Sequence, residues 1–284
     1  MKLRSGKVIN ETQMPEGGTF LGYKMAKDKR LVILEIPLSA KHNMERSNIV
    51  DRQLAKHRCS EAFVKEIIDL NTGASVNQAR SMQDRRFTYI VGSWVFPDRW
   101  EENLETVCAG GIHYFLDRQR AEAYMQSTPL NGEYLEWSDS GRLVYKRYVK
   151  DGKTEGEVLS WHEFTGLLKS RCFCYEGKIE GELIEWYSKG NVARRSMYKN
   201  GLKNGKETTW FLEEEKIMRE ITCVDGRPHG EVKEWYSNGQ IKSIYHYDNG
   251  KLHGEYRSWA VNGLENEGWQ YVHGEKLDGN GNPM

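Results

Sequence analysis

Residues 230–254 read GEVKEWYSNGQIKSIYHYDNGKLHG, and this stretch decides the fold. It opens on Gly230, reaches Trp235 five residues later, passes Gly239 and a second alternating segment, and closes on Asn249-Gly250. Asn-Gly between segments of period-2 alternation favours a tight turn with positive φ, so the stretch reads as two short antiparallel strands. The template recurs. Gly132, Gly156, Gly181, Gly205 and Gly254 are each followed five residues later by Trp137, Trp161, Trp186, Trp210 and Trp259, and the six openings are spaced by 24, 25, 24, 25 and 24 residues. A fixed period of this length marks a stacked repeat whose units bury their faces only against neighbours.

Working outward, a glycine follows the tryptophan in five units (Gly141, Gly166, Gly190, Gly239, Gly263), and Glu215 stands there in the fourth. The units end on Asp151-Gly152, Glu176-Gly177, Asn200-Gly201, Asp225-Gly226, Asn249-Gly250 and His273-Gly274. Two positions beyond the first glycine lie Leu143, Leu168, Val192, Ile217 and Ile241; eight beyond lie Val149, Cys174, Tyr198, Cys223, Tyr247 and Tyr271. Even spacing puts both columns on one strand face. Glu265 breaks the column in the last unit, as a terminal unit must do to stop the stacking. Twelve strands spaced roughly 4.8 Å apart predict a plate on the order of 55–60 Å long. Cys174 and Cys223 then lie roughly 19 Å apart, too far for a disulfide.

The first half is built differently. Of 28 glycines, 20 follow residue 130, as do seven of nine tryptophans, so the chain divides at Ser127-Thr128-Pro129. Residues 1–19 read as a flexible arm; its Lys2, Arg4 and Lys7 offer at most a weak basic clamp beside the simpler reading of a solvated tail. From 20 to 128 the pattern is α+β. Leu31–Ile36 is a buried strand ended by Pro37, Glu61–Ile68 fits strand or helix, Phe87–Val91 and Ser93–Phe96 are strands around Gly92, and Asp117–Met125 is an N-capped helix. The repeats occupy 129–278 and a tail 279–284.

Forty-one basic residues balance 41 acidic ones, which argues against a dedicated nucleic-acid binder or a polybasic membrane anchor. No apolar run approaches a membrane span and no signal-peptide pattern opens the sequence, so a soluble intracellular protein is expected. Five cysteines without CxxC spacing read as reduced thiols.

The repeat pattern G-E-x-x-x-W-Y-x-x-G followed by Y-x-N-G-K-x-x-G resembles MORN repeats, in the variant found in antitoxin-like and giant-virus proteins. The resemblance covers residues 131–278. It implies a curved antiparallel sheet of stacked hairpins that serves as an interaction or assembly platform. Ile36-Pro37, Arg58-Cys59, Tyr89-Ile90-Val91-Gly92, Pro97-Asp98 and Gly111-Ile112-His113-Tyr114-Phe115, with Ala121 and Tyr124, resemble an uncharacterised domain that precedes pentapeptide or MORN-like repeats in giant-virus and some bacterial proteins. Together the two resemblances imply a viral setting, host cytoplasm or virion.

Chemistry has few candidates. Cys108 and His113 beside Gly110-Gly111 form a possible thiolate–imidazole pair, yet such partners are usually remote in sequence, and a strand after a glycine turn explains them more simply. His57 and Cys59 fare no better. Zinc ligation by Cys59, Cys108, His57 and His113 lacks paired spacing. His229 and His253 share a column without a third ligand. The tryptophan column would suit stacking on bases or sugars, but a single-layer sheet needs such rings for burial. No phosphate-loop motif occurs. No catalytic, cofactor or metal residue is therefore assigned. The expected function is a non-enzymatic protein–protein interaction or assembly scaffold with a protein partner, or self-association through sheet edges. The alternatives are a peripheral lipid-binding module and an enzyme in the N-terminal domain.

Overall fold

The computed structural model describes residues 7–9, 17–84, 86–124, 128–213, 215–266, 268–278 and 281–284. The chain divides into two compact units, residues 1–127 with 135–143, and residues 128–134 with 144–284. Lys2 and Arg4 lie outside the described residues, as do Met125 and Ser127. Lys7, also part of the expected arm, instead begins a strand.

The N-terminal unit is built on β1 (Lys7–Ile9), β2 (Thr19–Ala26), β3 (Arg30–Pro37), β4 (Lys56–Cys59), β5 (Ala62–Asp69), β6 (Gln78–Arg80), β7 (Thr88–Ile90), β8 (Trp94–Phe96), β9 (Ile112–Phe115) and the helix α1 (Arg118–Ala123). Seven strands form an antiparallel sheet in the order β1-β8-β5-β3-β2-β9-β4, and β6 pairs with β7 separately. The apolar run Leu31–Ile36 sits at the centre as β3, and its side chains are buried on both faces. One face joins Val32, Leu34, Ile36, Val64, Ile67, Val95 and Tyr114 in the main core; the other packs Leu31 and Met25 with Phe115 and Ala121 of α1. Asp117 caps α1 by accepting from the Arg120 amide at 2.6 Å. Gly22 allows β2 to approach, since a Cβ there would lie 2.7 Å from Ile36 and 2.8 Å from Tyr114. The segment Glu61–Ile68, which fitted either type, is the strand β5.

The repeats form β10 (Gly132–Trp137), β11 (Leu143–Lys150), β12 (Lys153–Trp161), β13 (Leu168–Tyr175), β14 (Lys178–Trp186), β15 (Val192–Lys199), β16 (Leu202–Trp210), β17 (Ile217–Val224), β18 (Arg227–Pro228), β19 (Gly230–Trp235), β20 (Ile241–Asp248), β21 (Lys251–Ser258), β22 (Trp269–Val272) and β23 (Glu275–Lys276). They follow chain order in one 14-stranded antiparallel sheet. The count exceeds twelve because the strand is interrupted between Pro228 and Gly230, giving β18 and β19, and because His273-Gly274 folds back into the short β23.

The turn chemistry explains the hairpins. Asp151, Glu176, Asn200, Asp225, Asn249 and His273 all have φ between 47° and 52°, and each following glycine is also positive. Two consecutive positive φ values match the right-handed twist of the strands. The alternation is visible in β13, where Leu168, Ser170, Cys172 and Cys174 turn inward while Lys169, Arg171, Phe173 and Tyr175 are exposed. Each unit also contains bulges that periodicity does not reveal. Pairing skips a residue at Arg147, Cys172, Met197 and His246, opposite the opening glycines, and shifts again before Trp161, Trp186, Trp210 and Trp235. Bulges bend the strand and increase its twist.

The fourth unit departs from its neighbours. Two residues after each opening glycine lies Tyr134, Val158, Leu183, Val232 or Tyr256, but here it is Glu207, buried and bonded by Ser196 Oγ at 2.7 Å and by Lys203. Glu215 adopts the left-handed φ of 50° that glycine takes elsewhere. Replacing Glu215 with glycine removes the Cβ penalty of that conformation, and a gain of about 0.5–1 kcal/mol in urea unfolding is expected after the added flexibility of the unfolded chain. A loss would place a stabilising contact on the Glu215 side chain.

In three units the residue after the tryptophan staples its unit to the next. His162 Nε2 donates to Trp186 O at 2.9 Å, Tyr187 Oη to Trp210 O at 2.8 Å, and Tyr236 Oη to Trp259 O at 2.9 Å. Phe211 has no hydroxyl to continue the series. There β17 pairs with β18 through Cys223↔Pro228 and Val224↔Arg227 and with β19 through Arg219↔Glu234 and Glu220↔Lys233, a ladder interrupted around His229.

Candidate functional site

A cavity of about 430 Å³ opens in the N-terminal unit between β2, β9 and the segment 97–111. Its wall combines Phe87, Tyr89, Phe96 and Ile112 with Lys24, Ser81 and His113 and with the charged Asp84, Asp98, Arg99 and Glu101. Arg58 holds the segment in place. This fully buried guanidinium donates to Thr106 O at 2.8 Å, Glu101 O at 2.7 Å, Gly110 O at 3.0 Å and Asn103 O at 2.5 Å, and lies 4.4 Å from the centre of the Trp100 ring. A planar fork of five N–H donors is suited to gathering carbonyls in this way. Gly110 is required by the close packing, because a Cβ would sit 2.2 Å from Arg99 O.

Lys24 projects from β2, and its ammonium donates to His113 O at 3.1 Å. Burial, reinforced by the charge of Lys56, pushes Lys24 down to about 8. His113 bonds Val107 O through Nε2 at 2.8 Å, so Nε2 carries the proton of the neutral ring. Burial and the neighbouring Lys24 push His113 down to about 4.

The candidates read from sequence are dispersed by this arrangement. Cys108 is exposed, with its sulfur 3.5 Å from both Lys56 Nζ and Asp139 Oδ2, while His113 is engaged with Val107. His57 is buried; its Nδ1 lies 3.3 Å from Arg46 Nη1 and its Nε2 donates to Arg52 O at 2.7 Å. Burial raises the Cys59 thiol far above its ordinary range, and its sulfur faces Ile112 O at 3.6 Å. Among the described residues no three His, Cys, Asp or Glu side chains gather as a metal site. His229 pairs with Asp248 at 3.6 Å, and His253 lies against the ring of His273 at 5.2 Å. The six repeat tryptophans are half-buried at strand ends. All five cysteines are free thiols, and Cys172 and Cys174 share a face. Sequence reasoning missed both Lys24 and Arg58. The one available signal was Lys24 inside the largely apolar strand β2; Arg58 lies in the polar strand β4, Lys-His-Arg-Cys, where nothing marked it as buried.

The outward face of the repeat sheet is the other candidate. Tyr148, Phe173 and Met197 occupy equivalent places on β11, β13 and β15, and all three are exposed. Around them run opposite-charge pairs, Arg171–Glu157 at 2.8 Å and Arg195–Glu182 at 3.7 Å.

An antiparallel stack of glycine- and tryptophan-marked hairpins defines the class of the second half. Residues 179–200 and 228–249, the third and fifth hairpins, match the MORN repeat variant, and residues 10–121 match a Family of unknown function (DUF5758). The chain thus carries variant MORN repeats behind a domain of that family. No curated protein matches it. MORN repeats are in general protein- or membrane-interaction motifs. Among the described residues no helix is long and apolar enough to cross a membrane.

Proposed function

We propose that the chain is a non-enzymatic interaction or assembly platform whose outward repeat face binds a protein partner. The observation that carries this reading is the row of exposed apolar side chains on successive hairpins: Tyr148 at 47%, Phe173 at 54%, Tyr175 at 61% and Met197 at 40% of full exposure. These groups sit on alternate strands with Glu157, Glu180 and Glu182 between them, and exposed apolar side chains interleaved with charges suit a protein-binding surface. The alternating charges favour a protein over an anionic membrane, which rewards a uniformly basic face. The pairing of this N-terminal family with hairpin repeats supports a further proposal, an assembly or host-interaction role in a giant virus.

The test compares the wild-type chain with Tyr148→Ser/Phe173→Glu in pull-downs from native lysate, alongside size-exclusion chromatography with light scattering. The wild type is expected to retain a partner, or a second copy, that the variant loses while melting normally. A wild-type chain that stays monomeric and retains nothing, or retention unaffected by the substitutions, removes the proposal.

A further inference from the structure

The N-terminal cavity has a composition that a merely structural void does not need. Its volume of about 430 Å³ falls in the range of small-molecule sites, and aromatic rings with a few convergent polar groups form its wall. Lys24 is the amine in that wall. Its nitrogen makes one hydrogen bond to protein, to His113 O, and no carboxylate pairs with it among the described residues. Two of its three N–H directions are left for an occupant. The other cation of the wall, Arg99, is engaged with Glu101 at 3.2 Å, and Asp84 is engaged with Arg86 at 3.5 Å. An ordinary lysine fixed for packing would be served by methionine at no desolvation cost, whereas a desolvated amine without a counter-ion is a known route to a nucleophile.

We propose that this cavity binds a small aldehyde or ketone with an aromatic body, and that Lys24 captures it as an imine. The lone pair of neutral Lys24 Nζ attacks the carbonyl carbon, forming the C–N bond as the C=O π pair moves to oxygen. A proton passes from nitrogen to that oxygen through solvent, giving a carbinolamine. Loss of the hydroxyl with a second nitrogen proton releases one water and leaves C=N. Amine and carbonyl thus give imine and water, without a change of oxidation state. At neutral pH an amine lowered to about 8 is unprotonated roughly 300-fold more often than an ordinary lysine. Phe87, Tyr89 and Phe96 supply a surface for an aromatic ring. This site is separate from the repeat face and does not depend on the platform reading.

The full chain treated with benzaldehyde and sodium cyanoborohydride at pH 7 tests the proposal, with alkylation of each lysine followed by peptide mass spectrometry. Lys24 is expected to react at least about ten times faster than the exposed lysines, with a rate that saturates in benzaldehyde. The cavity-filling change Ala109→Phe should slow Lys24 by a similar factor and leave exposed lysines unchanged. Labelling of Lys24 no faster than the rest, a rate strictly linear in aldehyde, or labelling indifferent to Ala109→Phe would each overturn it. The rate ratio and its saturation come from the wild-type chain and do not depend on a variant folding; the Ala109→Phe comparison is made on a variant whose melting temperature matches the wild type.

Discussion

Replacing Arg58 with methionine is expected to lower stability by about 3–5 kcal/mol, the largest effect of any single change considered for this chain. Methionine fills much of the space but leaves Glu101, Asn103, Thr106 and Gly110 carbonyls without their shared donor. Each orphaned acceptor costs about 1–3 kcal/mol where water cannot reach it. Lysine retains the charge but not the fork, so Arg58→Lys should recover less than half of the loss. Urea unfolding followed by tryptophan fluorescence gives the energy, and limited proteolysis within 97–111 reports the local opening. Wild-type stability with an intact segment would show that backbone turns, not Arg58, hold it.

Acidification from pH 7 to pH 4 should destabilise the N-terminal unit by several kcal/mol. His57 and His113 are both pushed from the usual 6.5 down to about 4, chiefly by burial. His57 also faces Arg46, Arg52 and His42; His113 faces Lys24, Lys56 and Arg58. Between these values the unfolded chain takes up protons that the folded chain refuses, so stability is greatest above pH 6.5 and falls through the window. Below about 4 the full penalty is present. Each histidine contributes on the order of 2–3 kcal/mol. The melting temperature across that window measures it, and His57→Gln should remove about half of the slope while preserving a donor toward Arg52 O. A flat profile would mean that both rings are solvated.

The repeat sheet was legible because its cause is local. A glycine every 24 or 25 residues, a tryptophan five later, and Asn-Gly or Asp-Gly at the unit's end each fix a backbone conformation without help from distant residues. The exception at Glu215 was also visible in the sequence, and the structure gives that residue a left-handed φ of 50°. Bulges were not legible, since they depend on how adjacent strands align. The N-terminal cavity was hidden for a stronger reason: Lys24, Ser81, Phe96 and His113 converge only after seven strands assemble in an order unlike that of the chain. Cys108 and His113 stand out in the sequence because their residue types are reactive. In the fold each bonds a different partner, Cys108 with Asp139 and His113 with Val107 O.

The missing hydroxyl at Phe211 reaches beyond one bond. In a linear array each module is held by its flanks alone, so cooperativity is only as good as the weakest seam. Here an interrupted ladder, an absent staple and a buried carboxylate at Glu207 fall within one stretch. Rising temperature is therefore expected to part the hairpins up to β17 from those beginning at β18 before either block melts, so a calorimetric scan should show two transitions.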